Sequence, residues 1–339
     1  MPTQLNRRQF IAGTSTLAAS AALTACSNPD QQTVVRPEGV PISPFGAKST
    51  ALEVTEGLDL SGKTALITGC NSGLGFETMR VLSLRGANII GAARNLEKAE
   101  TAIAQLDGPA TAVACELSDL SSVAACGETV KSMGTPIDML ILNAGIMALP
   151  ELEQVNGIER QFFINHIGHF TLTSHLLDQV NAAQQGRIVV VSSSGHSFAP
   201  EGGIDFNNLS GEADYEPWKA YGVSKLANGL FTLELTKRLA GRPATANSVH
   251  PGIINTNLGR HFPWWQQTAA KLFGWAFMKS IEEGAATQSY VATAPALAGF
   301  SGYYFADCNP LLPDPRMLNE QQASELWAAS EDIAAGYLG

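Results

Sequence analysis

Short apolar runs alternate with longer stretches of helical periodicity from Gly62 onward. The runs are KTALITG, ANIIGAAR, TAVACEL, DMLILNAG, GRIVVVSSS and TANSVHPG. The stretches between them include GFETMRVLSLRG and SSVAACGETVKSMG, whose apolar positions repeat with the period of a helix. Buried strands that alternate with helices are typical of βαβ units around a parallel sheet covered on both faces. The pattern predicts an α/β fold: a doubly wound parallel sheet in one three-layer α/β/α domain over residues 51–339.

The first 50 residues lack this alternation. Arg7 and Arg8 precede an uncharged and weakly apolar run, QFIAGTSTLAASAALTAC, which ends at Cys26. A positive start, a short apolar stretch and small residues at its end are typical of a signal peptide. The arginine pair resembles a bacterial twin-arginine signal, and LTAC resembles a lipobox, in which the cysteine is lipidated. We expect a signal peptide over residues 1–25, a lipid anchor at Cys26 and a tether over residues 26–50.

This N-terminal pattern predicts a location for the protein. A chain exported by the twin-arginine route and anchored at Cys26 is a periplasmic, membrane-tethered lipoprotein, whereas an unused signal leaves it in the cytoplasm. The route exports proteins that are already folded, and the cytoplasm is reducing. We therefore expect no dependence on disulfides among Cys70, Cys115, Cys126 and Cys308.

Charge and cysteine spacing argue against two classes of function. The formal net charge is −10, and no long Lys/Arg run offsets it, which argues against a nucleic-acid partner. The five cysteines form no CxxC pair, and no cysteine–histidine cluster has the spacing of a zinc site. We expect neither nucleic-acid binding nor a metal site.

The turn after the first predicted strand is rich in glycine. TGCNSGLG places Gly69, Gly73 and Gly75 between that strand and the helix that follows. Such a turn lets the backbone approach a pyrophosphate, which then lies at the N-terminus of the helix. The position between a strand and a helix favours a dinucleotide site over an ordinary tight turn.

The ends of the next strands predict further cofactor contacts. Where NAD enzymes usually have an acid, this chain has Ala93 followed by Arg94, whose guanidinium suits a 2′-phosphate. We favour NADP(H) over NAD(H), with a solvated surface arginine as the alternative. Glu116 is placed to reach an adenine, and Leu117 to line its pocket. The small residues of NAG, 143–145, allow close approach of the nicotinamide-side ribose.

A tyrosine and a lysine lie four residues apart in YGVSK, within a predicted helix. Tyr221 and Lys225 therefore share one helix face. A free phenol has a pKa of about 10. A nearby ammonium group lowers that pKa toward the range in which general acid–base catalysis is efficient. Alone, this spacing also fits a solvated helix face.

Two other groups of polar residues have competing interpretations. A hydroxyl at the end of VVVSSS could bond a substrate oxygen, and the pattern does not distinguish Ser192, Ser193 and Ser194. A Ser/His/Asp hydrolase using His196 is the rival, but no GxSxG elbow is present. The predicted helix GIERQFFINHIGHFTLT carries Asn165, His166 and His169. Without a third metal ligand, packing is the better explanation for both histidines.

Together these motifs resemble the short-chain dehydrogenase/reductase family. TGCNSGLG, NAG, Asn165, VSS, YGVSK and HPG occur in the family's order, and the resemblance covers roughly residues 50–339. FINHIGHFTLT, AYGVSKLANGLFTLEL and EEGAATQSYVAT are most similar to the retinol-dehydrogenase and WW-domain-oxidoreductase-like group. The resemblance implies a Rossmann fold and an oxidoreductase that uses a nicotinamide cofactor.

The resemblance also implies roles for individual residues. Ser193 would polarise the substrate carbonyl, and Tyr221 would act as the acid/base. Lys225 would hold the nicotinamide ribose and lower the phenol pKa, and Asn165 would hold a water in the proton relay. The implied cofactor contacts are Gly69, Ser72, Gly73, Leu74, Gly75, Arg94, Glu116, Leu117, Asn143, Ala144, Gly145, Tyr221, Lys225, Pro251, Gly252, Ile254 and Thr256. Glu116 departs from the aspartate that is usual in the family.

An aromatic segment after the HPG motif bears on the substrate. LGRHFPWWQQTAAKLFGWAFMKSIEEG either covers a hydrophobic substrate or packs on the core, a membrane or a partner subunit. The sequence predicts NADP(H)-dependent hydride transfer to or from a hydrophobic alcohol or carbonyl compound. The alternatives are a catalytically idle NADP-binding sensor or scaffold and, disfavoured by motif order, an extended-type epimerase. A homo-oligomer remains open.

Overall fold

A computed structural model describes residues 36–254 and 278–339, and in this part of the chain eight strands form one sheet. Its order is β10-β9-β8-β7-β4-β1-β2-β3, and all neighbours pair in parallel except β9 and β10. The strands are β1 Thr64–Thr68, β2 Asn88–Ala93, β3 Ala110–Ala114, β4 Met139–Leu142, β7 Arg187–Val191, β8 Thr245–His250, β9 Tyr304–Ala306 and β10 Asn309–Leu311. β5 Gln154–Val155 and β6 Ile158–Glu159 form a separate hairpin.

Helices cover both faces of the sheet. They are α1 Ala51–Val54, α2 Gly73–Leu84, α3 Leu96–Ile103, α4 Leu120–Ser132, α5 Arg160–Phe162, α6 Gly168–Ala182, α7 Pro217–Arg238, α8 Ile281–Thr293 and α9 Glu320–Ile333. One apolar core packs β-strand residues such as Leu66 and Leu140 against α4, α6, α7 and α9. The other packs their neighbours Ile67 and Ile141 against α2, α3 and α8. Successive strand residues thus face opposite layers, and the predicted three-layer α/β fold is confirmed.

The predicted long helix around Asn165 is wrong at its start. Asn156 and Gly157 have φ values of 51° and 78° and turn the chain into the β5–β6 hairpin. An Asn-Gly pair favours such a two-residue turn because both residues tolerate positive φ. The helical stretch then begins with α5, passes through a π turn at Phe163–Ile167 and continues as α6.

The last part of the predicted tether lies against the domain. The Asn309 amide accepts hydrogen bonds from Arg36 Nη1 and the Ser43 backbone, both at 2.9 Å. It also donates to the carbonyl of Phe45 at 2.7 Å, and the Phe45 ring meets Tyr290 edge-on at 5.9 Å. These contacts hold residues 36–45 on the side of the sheet where β10 lies.

Several predicted features lie outside the described residues. They are the signal peptide over 1–25, Cys26, the first part of the tether, Thr256 and most of the aromatic segment. Within the described ranges, no helix combines the length and apolarity that a membrane span requires. Cys70, Cys115, Cys126 and Cys308 are buried free thiols.

Candidate active site

The carboxyl ends of the parallel strands bring the predicted site residues to one edge of the sheet. Thr68 ends β1, and the glycine-rich turn follows it directly. The segment 143–145 follows β4, Ser192 and Ser193 follow β7, and Pro251 follows β8. Clefts at this edge are where open α/β sheets bind ligands.

The glycine-rich turn needs its glycines for two physical reasons. Gly69 and Gly73 have φ values of 70° and 55°, a conformation that side chains disfavour. A Cβ on Gly75 would lie 2.3 Å from the carbonyl oxygen of Gly69 and 2.6 Å from Nδ2 of Asn143. Ser72, at the N-cap of α2, makes no side-chain cap hydrogen bond. The first N–H groups of α2 are therefore suited to a pyrophosphate, and the turn fits a dinucleotide.

A buried hydroxyl joins the ends of β1 and β4. Thr68 Oγ1 accepts hydrogen bonds from the backbone N–H groups of Asn143 at 2.9 Å and Ala144 at 3.0 Å. The Asn143 amide donates to the Thr68 carbonyl at 2.9 Å and accepts from Gln288 Nε2 at 3.2 Å. A Cβ on Gly145 would lie 3.0 Å from Oδ1 of Asn165, so this segment lies directly beside the predicted catalytic residues.

Arg94 and Glu116 lie near each other at the ends of β2 and β3. The Arg94 side chain is 60% exposed, with Nε 3.9 Å from a Glu116 carboxylate oxygen. The other Glu116 oxygen accepts from the hydroxyl and the backbone N–H of Ser118 at 2.8 and 3.1 Å. The exposed guanidinium is free to meet a ligand. Leu117 is buried in the core, against Gly168 of α6.

The structure separates the three serines after β7. The Ser192 hydroxyl is buried and donates to the Lys225 carbonyl at 2.8 Å. Ser194 is exposed, and its backbone N–H donates to His250. Ser193, in contrast, lies beside the Tyr221 side chain: a Cβ on Gly195 would be 3.3 Å from Ser193 Oγ and 2.6 Å from the Tyr221 ring. Of the three, Ser193 therefore shares the site with the predicted acid/base.

Tyr221 and Lys225 lie on one face of α7, as predicted, and both are buried. Lys225 Nζ lies 5.8 Å from the centre of the Tyr221 ring and donates to the Val191 carbonyl at 2.9 Å. Burial raises the pKa of Tyr221, although the Ser193 hydrogen bond opposes the change. Burial lowers the pKa of Lys225 to about 8. Desolvation thus outweighs the effect of Ser193, and the lowering of the phenol pKa by the Lys225 ammonium stays a prediction.

Hydrogen bonds to the segment after β4 and to α7 hold the side chain of Asn165, which lies in the π turn. Its Oδ1 accepts from the backbone N–H of Ile146 at 2.8 Å. Its Nδ2 donates to the Ile146 carbonyl and to the Ser224 hydroxyl, both at 2.9 Å. Ser224 in turn donates to the Tyr221 carbonyl at 2.8 Å, so hydrogen bonds through Ser224 connect Asn165 to the helix that carries Tyr221.

The loop after β8 supplies the last predicted cofactor contacts. Pro251 is buried, and Gly252 has a φ of 100°. A Cβ on Gly252 would lie 2.6 Å from the Lys279 side chain, whose ammonium pairs with Asp307. Ile254 pairs with Lys279 in a parallel bridge and packs with Leu74. These contacts connect the loop to the glycine-rich turn.

The hydrolase alternative does not fit this geometry. His196 Nδ1 bonds the Ser193 backbone carbonyl, while the Ser193 hydroxyl accepts from the Gly195 N–H at 3.0 Å. The imidazole therefore does not activate the serine hydroxyl. In the described ranges, no cluster of three His, Cys, Asp or Glu side chains could hold a metal ion.

An exposed aromatic surface lies beside Tyr221. The Trp218 ring meets Tyr221 edge-on at 6.2 Å, and Phe198 lies 5.3 Å from Trp218. Phe198 is 53% exposed and Trp218 39%. A separate cavity of about 410 Å³ is lined by Ala220, Val223 and the 200–216 loop, and none of the predicted site residues borders it.

These features define a dinucleotide-binding α/β protein whose sheet edge carries a Ser–Tyr–Lys–Asn constellation. Residues 63–267 match the short chain dehydrogenase family, and the chain belongs to this family of oxidoreductases. The nicotinamide-binding character of the family agrees with the glycine-rich turn described above.

Two curated relatives and one solved structure extend this match. The chain is 39% identical over 306 residues to the WW domain-containing oxidoreductase of Pongo abelii, covering 87% of this chain and 73% of that protein. It is 40% identical over 292 residues to retinol dehydrogenase 14 of Homo sapiens, covering 80% and 86%. An uncharacterized protein from Mycobacterium paratuberculosis matches with a TM-score of 0.68 and 33% identity, covering 83% and 96%. The predicted family is confirmed.

Sequence reasoning missed several residues that hold the site. Thr68, Ser224, Gln288 and Lys279 each bond or pack against a predicted site residue. A local signal existed for two of them. Thr68 is the polar last residue of an apolar strand, and Ser224 lies three positions after Tyr221.

Replacement of Lys225 by Met should change how stability depends on pH. An unfolded lysine keeps its proton up to a pKa of 10.5, whereas folded Lys225 loses it at about 8. Between these values the unfolded state binds more protons, so this group makes the folded state more stable as pH rises. Urea unfolding from pH 7 to pH 9.5 should show a rise on the order of 2 kcal/mol relative to Lys225→Met.

Lys237→Met is the matched control, on the same helix with a side chain 40% exposed. Its free energy of unfolding should depend on pH as that of the wild type does. Buried thiols and phenols with raised pKa values make the folded state less stable as pH rises. Their contribution is the same in each variant and cancels in the comparison. Parallel curves for the wild type and Lys225→Met would show that Lys225 is not desolvated.

Proposed function

We propose that this protein is an NADP(H)-dependent oxidoreductase that interconverts a hydrophobic carbonyl compound and its alcohol. The observation that carries the proposal is the placement of the Ser193 and Tyr221 side chains next to each other, beside the buried Lys225. A bound nicotinamide supplies or accepts the hydride. The chain must then orient the substrate oxygen and move one proton to or from it.

The side chains divide these tasks. Ser193 and Tyr221 converge on the place of a substrate oxygen, so Ser193 orients it and Tyr221 exchanges a proton with it. Lys225, next to Gly145 and the ribose-side segment, is placed to hold the ribose. Asn165 is placed to support the proton relay because it is bonded to the helix of Tyr221 through Ser224.

A hydrophobic substrate is supported by the surroundings of Tyr221. Phe198 and Trp218 present exposed aromatic surface beside it, and Ile253 is 63% exposed in the loop after β8. Exposed apolar side chains that converge near a catalytic group favour burial of an apolar ligand.

The first prediction on activity concerns Tyr221→Phe. NADPH oxidation with a panel of aliphatic and aromatic aldehydes and ketones should fall at least about 100-fold, because the proton donor is lost. Tyr215→Phe is the matched control, since that phenol donates to the Leu149 carbonyl and borders the separate cavity. Equal background rates for the wild type and Tyr221→Phe would instead favour an idle NADP-binding module.

NADP(H) preference rests on Arg94. Its exposed guanidinium, held near Glu116, can form charge-assisted hydrogen bonds with a 2′-phosphate. Arg94→Ala should raise the KM for NADPH by about 10-fold to 100-fold and leave the KM for NADH nearly unchanged. Arg242→Ala, an exposed arginine in the loop after α7, serves as the control. A similar effect on both cofactors would contradict the preference.

We also propose export by the twin-arginine route and lipid anchoring at Cys26. The order of Arg7, Arg8, the weakly apolar run and LTAC supports it. The mass of the mature protein from the membrane fraction should be that of a chain whose first residue is a lipidated Cys26. The Cys26→Ser variant should lack the mass of the lipid. An intact N-terminus on protein from the soluble fraction alone would contradict export.

A further inference from the structure

His169 occupies a buried position between two parts of the site. It lies on α6, one helical turn after Asn165, and its side chain is 2% exposed. Its Nδ1 lies 3.1 Å from the Asn165 carbonyl oxygen, and its Nε2 lies 2.9 Å from Thr68 Oγ1. The ring therefore connects the catalytic asparagine to the end of β1.

The hydrogen-bond partners determine which ring nitrogen carries the proton. A carbonyl oxygen can only accept, so Nδ1 of His169 donates to Asn165. Thr68 Oγ1 already accepts N–H groups from Asn143 and Ala144, which uses both of its lone pairs. Its single hydrogen is therefore donated to Nε2 of His169 at 2.9 Å, because the other acceptor in reach, the Ile141 carbonyl, is at 3.5 Å.

The charge of the ring agrees with this assignment. Burial lowers the pKa of His169 to about 4, with a further lowering from the nearby Lys225, although the Asn165 carbonyl favours the charged form. His166, another buried imidazole of this helical stretch, has a pKa lowered by burial to about 3. At neutral pH the His169 ring is therefore neutral. A charged ring at this position would be repelled by the nearby Lys225 cation.

We propose that His169 is a positioning residue for the reaction, which sets the orientation of Asn165 through its main-chain carbonyl. The side chain of Asn165 is bonded to Ile146 and Ser224, and His169 holds the backbone of the same residue. Through Thr68, the same ring holds the segment that contains Asn143 and Ala144 in register with Asn165. The role rests on the proposed function, and π turns such as this one are frequent at functional sites.

Two variants of the full chain test the role, and a third serves as their control. His169→Leu removes both hydrogen bonds, and kcat for carbonyl reduction should fall on the order of tenfold or more. The solvent deuterium isotope effect on kcat should rise, because the proton step becomes slower. His169→Asn restores a short donor near the Nδ1 position and should recover most of the rate. The KM for NADPH should change less than kcat in all cases.

His166→Leu is the matched control. This imidazole is equally buried, but its Nε2 contacts the Ser330 hydroxyl of α9 at 2.8 Å, away from the sheet edge. It should lower the unfolding temperature and leave both kcat and the isotope effect as in the wild type. If His169→Leu folds and also keeps both values, His169 only packs, and the proposal is overturned.

A second measurement does not depend on turnover or on the folding of a variant. The ¹⁵N shifts of the His169 ring in the wild-type protein should show a protonated Nδ1 and a bare Nε2 from pH 6 to pH 9. A protonated Nε2 would overturn the assignment. If these shifts are as expected but the wild type reduces no carbonyl compound, the proposed function is wrong and the positioning role falls with it, while the hydrogen-bond assignment stands.

Discussion

The hydrogen bonds of the Thr68 hydroxyl fix the arrangement on which the site depends. β1 and β4 pair in parallel, and beyond their ends Thr68 binds the backbone of Asn143 and Ala144. Without Thr68 the part-buried Ala144 N–H would lose this acceptor, at a cost on the order of 1 kcal/mol, whereas the Asn143 N–H would keep the Ile141 carbonyl at 3.1 Å. The chain turns sharply at Gly69, so the same bonds set the distance between the glycine-rich turn and the segment beside Asn165.

Several buried polar side chains reinforce this arrangement by hydrogen bonds, although Gln288 Oε1 has no hydrogen-bond partner among the described residues. Gln288 joins Asn143 to the helix after the glycine-rich turn by donating to Thr78 at 2.5 Å. On the other side, the Val191 carbonyl accepts from Lys225 and from Asn228 at 2.9 and 3.0 Å. Hydrogen bonds in a low-dielectric interior are strong and directional, so these contacts favour one arrangement of the side chains. The candidate site residues are thereby held in one arrangement by the protein itself.

Much of the fold could be predicted because parallel strands covered on both faces require continuous apolar runs. The motifs at the strand ends also predicted which residues share the sheet edge. The residue pattern alone left Ser192, Ser193 and Ser194 open, and only the family resemblance selected Ser193, because the choice depends on how the end of β7 meets the Lys225 carbonyl. The partners of Thr68 and Asn143 lie 75 to 145 positions away, so no local pattern reveals them. The Asn156–Gly157 turn did have a local signal, which the helical periodicity after it obscured.

Burial acts in opposite directions on the two titrating residues of the candidate site. It raises the pKa of the Tyr221 phenol and lowers that of the Lys225 ammonium to about 8. Under the proposed chemistry, a protonated phenol is the form needed to reduce a carbonyl compound, and it is the form that burial favours. Oxidation of an alcohol needs the phenolate, which burial disfavours. A positive charge beside Tyr221, such as the Lys225 ammonium, therefore matters most for that direction.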